Sequence, residues 1–304
     1  MEDFLLPLLG ATFRISTPIL LGALGETVAE RAGVLNLGIE GTMLLSAFSG
    51  FVVAQATGSL LAGLLAALLT GVLLNLLLGV LAVTLGLNQH VSGLGITLLA
   101  TGLALFGFRL LYGGASVPPK LDEALPQLTL LAGTPLEPVF SQYGITYIAL
   151  LLVPIIGWLL YRTAFGLRLR AVGENPEAAD TAGINVYLLR YLALIIGGAL
   201  MGLGGAFLSL AQLGAFTHGI VNGRGWVAIA VVIFGNWQPR KVLVGALLFG
   251  GLQALQLRLQ AQQVPVPYEL LLALPYLLTI VAIAFAGRNA SYPAALLKPY
   301  KREG

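Results

Sequence analysis

Apolar residues along this chain gather in long runs. Cutting at charges and at Pro or Gly clusters gives runs near 5 to 25, 42 to 57, 60 to 86, 91 to 113, 143 to 161, 188 to 213, 225 to 237, 242 to 259 and 268 to 287. A helix crossing a membrane needs about 20 apolar residues, and most of these runs are close to that. The run at 225 to 237 is too short to cross straight through, so it is either a half-helix or extends into its neighbours. Arg14 and Pro18 leave the depth of the first run open. The pattern predicts an all-α, polytopic membrane protein with about eight to ten transmembrane helices, forming a single domain over 1–304.

Composition agrees. Of 304 residues 58% are hydrophobic and 10% charged, against roughly 25% charged in a soluble domain. A soluble protein of this length must cover its surface with polar groups, so that class is excluded. With no cysteine, disulfides, thiolate metal sites and thiol nucleophiles are excluded as well. The opening Met1-Glu2-Asp3-Phe4 is acidic where a cleavable signal is basic, so the first apolar run is expected to stay in the mature protein. A net charge of +3 suits basic cytoplasmic loops and gives no support to nucleic-acid binding.

Orientation follows Lys and Arg. If the runs alternate across the membrane, Arg31, Arg162, Arg168, Arg170, Arg190, Arg240, Lys241 and the basic residues from Arg288 onward fall on one side. The connection 114–142 falls on the other, with Lys120 against Asp122, Glu123 and Glu137. The loop at 162–187 and the tail at 288–304 are therefore expected to be cytoplasmic, the tail as a positive anchor. Nine spans leave the N-terminus outside; a tenth, or a re-entrant segment around 26–41, brings it inside. The 39 glycines include Gly198-x-x-x-Gly202-x-x-x-Ala206, a spacing that lets helices approach closely in lipid.

Three polar stretches stand out. Residues 26–41 hold Glu26, Glu30, Arg31, Asn36 and Glu40 with three glycines, so the backbone is expected to bend or unwind there. Glu26, Glu30 and Arg31 read as a solvated turn. Asn36 and Glu40 share a face if the segment is helical, and an ionisable group at membrane depth normally faces a cavity or a partner. They are candidates for a solute path or gate. At 86–97, Asn88, Gln89, His90, Ser92 and Thr97 either hydrogen-bond a neutral solute or cap a helix. At 166–185, Asn175 suits an N-cap, Pro176 the first helical position, and Gly183 the stop. This predicts a short helix over 176–182, too short to stand alone. Ala178, Ala179 and Ala182 give it a small apolar face, and Glu174 and Asp180 can orient it. It docks on a partner or on its own protein's spans.

No Lys follows Gly, so there is no nucleotide-binding P-loop, and H-E-x-x-H and G-x-S-x-G are missing. No cofactor, metal or catalytic residue is expected. Besides a transport subunit driven by another chain, the sequence leaves room for an ion-coupled secondary transporter with Glu40 as its ion site. An intramembrane enzyme has no recognisable nucleophile here.

"ERAGVLNLGIEGTML" at 30–44, "NQHVSGLGITLLATGL" at 88–103, "LRAVGENPEAADTAGINV" at 169–186 and "GRGWVAIAVVIFGNW" at 223–237 resemble the permease subunits of bacterial nucleoside-type ABC importers. That branch sits within the group that also serves simple sugars and branched-chain amino acids. The likeness runs in order from about residue 12 to 287. It implies a non-catalytic permease in the cytoplasmic membrane with a cytoplasmic C-terminus. It also implies a second homologous permease, identical or not, an ATP-binding cassette ATPase subunit and an extracytoplasmic solute-binding lipoprotein. Residues 174–183, with Glu174, Asn175, Pro176, Ala178, Ala179, Ala182 and Gly183, match the coupling helix that fits a groove on the ATPase. "ERAGVLNLGIEG" looks more like the nucleoside branch than the sugar branch, whose stretch has an aspartate and serine pattern absent here. Nucleosides are neutral and rich in donors and acceptors, so Asn36, Asn88, Gln89 and Thr97 join Glu40 as pathway candidates. The 114–142 connection is either a docking surface for the lipoprotein or a rigid cover.

Overall fold

The computed structural model describes residues 2–113, 119–262 and 291–301, together with four positions between 269 and 277. Its helices are α1 (Glu2–Arg31), α2 (Ile39–Thr57), α3 (Leu60–Gly79), α4 (Gln89–Tyr112), α5 (Glu137–Phe140), α6 (Gly144–Arg162), α7 (Ala164–Glu174), α8 (Pro176–Thr181), α9 (Val186–Ala206), α10 (Arg224–Phe234) and α11 (Pro239–Ala261). Strand β1 (Gln127–Thr129) pairs antiparallel with β2 (Ser141–Tyr143). Helices α3 and α9 each run on into a π turn, at Val80–Thr84 and Phe207–Gln212.

Among the described residues seven helices, α1, α2, α3, α4, α6, α9 and α11, are long and apolar enough to cross a membrane. The run at 225–237 is α10, whose 11 residues reach only about 16 Å at 1.5 Å per residue, so it is the half-helix. The run at 268–287 lies almost wholly outside the described residues. The backbone does leave the helix within 26–41, but over 32–38 only: α1 continues to Arg31 and α2 begins at Ile39. The loop expected at 162–187 instead contains α7, which Thr163 caps by accepting from Gly166 N–H at 3.1 Å.

Helix α9 is the most enclosed of the spans and α4 the least. The tightest crossing is α3 on α9, along the small residues expected to pack. A β-carbon at Gly71 would fall 2.1 Å from the Gly198 carbonyl oxygen, and one at Gly202 would fall 2.5 Å from that of Ala67. Lipid offers no hydrophobic drive between helices, so this close backbone approach does the work. Gly71→Ala is expected to force the helices apart at a cost of about 1–3 kcal/mol. It should lower the thermal midpoint in detergent, and an unchanged midpoint would show that the crossing has slack.

The bundle has two chemically different ends. At one lie α7, α8 and the 291–301 segment: Arg31 Nη1 is 4.0 Å from Glu174 Oε1, and Ala295 N–H donates to Gly173 O at 2.9 Å. At the other end the 119–143 segment covers the end of α9, with Leu121 N–H donating to Gly214 O at 2.8 Å. Gln142 Nε2 donates to Gly10 O at 3.1 Å, so the start of α1 lies at this second end. The tail is more than a charged anchor. Ala295 and Tyr300 are buried, Ser291 N–H donates to Asn236 Oδ1 at 2.9 Å and Ala294 N–H to Glu174 Oε2 at 3.3 Å. Positions 288–290 and 302–304 of the tail, Arg302 among them, lie outside the described residues.

Candidate functional site

After Arg31 the chain turns back into the bundle. Gly33 lies against Arg190, Gly173 and Ala295 at the α7 end, but Ile39 already packs beside Gly22. Gly22 is nine residues before Arg31 on α1, so 32–38 climbs about 13 Å before α2 begins. Glu26 and Glu30 lie in the wall beside this segment, and both are fully buried. They are therefore not a solvated turn, which corrects the sequence reading; Arg31, at the helix end, stays partly exposed.

An irregular segment inside a membrane must have its backbone groups satisfied, and side chains of α1, of α4 and of the segment itself do this. Asn36 N–H donates to Glu26 Oε1 at 2.8 Å. Gln89 accepts from Leu35 N–H at 2.7 Å and donates to Gly33 O at 3.2 Å. Thr97 donates to Leu37 O at 3.0 Å. The Asn36 side chain accepts from Gly38 N–H at 2.7 Å and donates to Asn75 Oδ1 at 2.9 Å. Asn36, Gln89 and Thr97 thus converge on one loop, whose backbone they hold. Asn36 is not helical, so its shared face with Glu40 does not arise. Asn88 stands apart: exposed, it caps α4 through His90 and Val91 N–H.

A second irregular segment enters from the opposite end. From Gly214 the chain descends beside α2, with Phe216 against Phe48 (ring centroids 5.1 Å) and Phe108 (5.7 Å). It reaches Glu40 at residue 223, where α10 starts. Glu40 Oε1 accepts from Gly223 N–H and Oε2 from Gly225 N–H, both at 2.8 Å. A β-carbon at Gly225 would lie 2.6 Å from Glu40 Cα, so only glycine allows this approach. Glu40 sits in the first turn of α2 and caps α10, so its carboxylate lies at two helix N-termini whose dipoles both favour negative charge. Arg224 donates to Ile220 O and Val221 O at 3.0 Å, satisfying the descending segment.

The other end of α10 is fastened as well. Trp237 Nε1 donates to Glu30 Oε2 at 2.5 Å, and Tyr161 Oη donates to the Trp237 carbonyl at 3.0 Å. Asn236 and Trp237 both adopt left-handed φ, 48° and 53°, a strained reversal that the indole bond offsets. Trp237→Phe leaves a buried carboxyl oxygen without its donor, at about 1–3 kcal/mol. A lowered thermal midpoint with normal membrane level is the expected result, and no change would show that the bond is dispensable.

Sequence reasoning missed the 214–223 descent, Asn75, and the buried roles of Glu26, Glu30 and Trp237. The gap between the runs ending at 213 and beginning at 225, rich in Gly and polar residues, was the available signal. Near Glu40, Asn222 and Trp226 are exposed, as are His218 above them and Thr101 one turn beyond Thr97 on α4.

At the α7 end, α8 forms as expected. Asn175 Oδ1 accepts from Ala178 N–H at 3.0 Å, Pro176 is the first residue, and Gly183 takes φ +80° after the stop. Its faces differ from the expected arrangement. Pro176 and Ala179 are buried, Ala179 in a cluster with Val172, Val186, Leu189 and Tyr300. Glu174, Asn175, Ala178, Ala182 and Gly183 are exposed, because residues 178 and 182 lie one turn apart while 179 is rotated about 100° away.

Residues 8–283 match the model of a family described as branched-chain amino acid transport system / permease component, and the chain belongs to it. The chain is 40% identical to a candidate glucose ABC transporter permease, TsgC13, of Haloferax volcanii, over 99% of each chain. It is 38% identical to the guanosine ABC transporter permease NupQ of Bacillus subtilis, over 95% of each. It is 33% identical to the nucleoside ABC transporter permease NupC of Lactococcus lactis, over 92% of each. A solved structure described as an inward-facing conformation of a metal-chelate type ABC transporter candidate shares the fold, with TM-score 0.55 and 17% identity over 93% of this chain and 87% of that one. This protein is thus a multi-pass ABC transporter permease subunit, of a family that works with ATPase and solute-binding components.

Proposed function

We propose that this chain forms half of the solute path of a nucleoside importer, with Glu40 and its neighbours as the gate. The meeting of two half-elements at Glu40 carries this reading. Irregular backbone at membrane depth persists only where it is buried or lines a water-filled cavity, and discontinuous helices mark binding sites in transporters. The polar surface beside that meeting, Thr97, Thr101, Asn222 and Trp226, suits a path better than lipid, where polar groups are costly. Amide, hydroxyl and indole groups match a neutral solute with an aromatic base. Asn36 and Gln89 act one layer behind, holding the loop, and Asn88 caps α4 at the path's inner end.

The α7 end is cytoplasmic in this reading, because Lys and Arg gather there, and the C-terminus lies with it. Helix α8 docks on the ATPase subunit through Glu174, Asn175, Ala178, Ala182 and Gly183. Pro176 and Ala179 seat it on its own chain. The chain has no ATPase site of its own, pairs with a second permease across the path face, and receives solute from a binding lipoprotein at the 119–143 end.

Glucose is the second reading, favoured by the name of the 40% identical relative. Uptake by cells carrying the whole transporter separates them. Labelled guanosine uptake lost on deletion of this chain and competed by unlabelled nucleosides but not by glucose is the expected result; the reverse competition would assign a sugar.

A further inference from the structure

We propose that the groove between α6 and α11 at the α7 end binds the headgroup of an anionic phospholipid. The groove encloses about 530 Å³, within the roughly 300–1,000 Å³ of small-molecule sites. Its upper wall is apolar, from Val153, Pro154 and Gly157, and Arg162 and Arg240 stand at its mouth. A β-carbon at Gly157 would meet nothing within 4 Å, so this wall leaves open space beside it. Trp158 is 62% exposed one turn above Arg162, the interfacial position that indoles favour.

Charge decides the occupant. Arg162 and Arg240 are exposed and have no acidic partner within 4.0 Å among the described residues. Arg170 differs, since it lies over the Tyr161 ring at 4.9 Å and donates to Leu160 O at 3.0 Å. Two guanidinium groups with no such partner, beneath an apolar slot, complement a phosphate with an acyl chain above it, because Arg recognises phosphate through paired N–H donors. Basic pockets between helices on the cytoplasmic side bind such headgroups. The assignment to the cytoplasmic leaflet rests on the orientation proposed above; binding itself does not, since it is read on the isolated chain without transport.

The test is native mass spectrometry of the full chain from nanodiscs of equal phosphatidylglycerol and phosphatidylcholine. Retention of phosphatidylglycerol over phosphatidylcholine is expected. Each cation near an anionic surface is worth roughly fivefold, so Arg162→Gln with Arg240→Gln should weaken retention by about twenty-five-fold. Gly157→Leu, which extends a side chain from the wall into the groove and keeps both charges, should also reduce it, separating a groove from simple surface charge. Arg162→Lys with Arg240→Lys should restore part of the binding. Equal retention in the Gln pair and the wild type, displacement by millimolar inorganic phosphate, or another subunit cross-linked to position 158 in the assembled transporter would each overturn the proposal.

Discussion

Glu40→Ala is expected to reduce solute uptake by more than tenfold while the protein still reaches the membrane. The substitution removes both acceptors of the Gly223 and Gly225 N–H groups. Hydrogen bonds to a charged group are worth about 1.5–3 kcal/mol each, and a buried donor left alone costs a similar amount. The loss falls on the joint between α2 and α10. The bundle itself rests on other contacts, such as the α3–α9 crossing, so folding should survive where positioning of α10 does not. Glu40→Gln keeps one carbonyl oxygen and replaces the other with a donor facing an N–H group, so its uptake should lie between wild type and Ala. Uptake and membrane level measured side by side in both variants give the result. Full uptake in the Ala variant would reduce Glu40 to an ordinary helix cap.

Much of the fold was legible in the sequence because lipid makes hydrophobic length nearly synonymous with a helix. The runs at 42–57 and 91–113 match α2 and α4 to within three residues at each end, since an uninterrupted helix satisfies such runs in hydrocarbon. Helix α8 was equally legible. Its Asn-Pro start and Gly stop act locally, and local chemistry is what sequence displays. Glu26 and Glu30 were misread for the converse reason. Carboxylates near a glycine cluster look solvated until Asn36 N–H and the Trp237 indole, 10 and 207 residues away, arrive as their partners. The candidate site divides along the same line. Residue types suited to a polar path were visible at 36, 40, 89 and 97. That three of them clamp one re-entrant loop, and that Glu40 caps a helix beginning 184 residues later, depends on which segments meet at the same depth. The descent from Gly214 to Gly223 was hidden because its mixture of glycines with short apolar and polar pieces belongs to neither a span nor a surface loop.

Two adjacent alanines in α8 should respond in opposite ways to the same charge. Ala178 is exposed on the free face, so Ala178→Arg should leave the chain folded and inserted while uptake falls by at least about tenfold. A well-packed contact worth 1.4 kcal/mol suffices for that factor, and central interface positions commonly exceed it. Ala179 is only 4% exposed, against Val172, Leu189 and Tyr300. An Arg there must bury an unpaired charge or dislodge the helix together with the 291–301 tail, at several kcal/mol. Ala179→Arg should therefore lower the thermal midpoint and the membrane level before any question of coupling arises. The ATPase subunit supplies the second readout: its co-purification should weaken with Ala178→Arg, and the ATP hydrolysis that remains should no longer follow solute. Ala182→Trp, one turn along the same face, should reproduce the Ala178 result. If Ala178→Arg and Ala182→Trp both transport normally, the free face of α8 touches nothing in the working transporter. The buried face would then be the one that carries force, through the tail and Gly173 to the re-entrant loop.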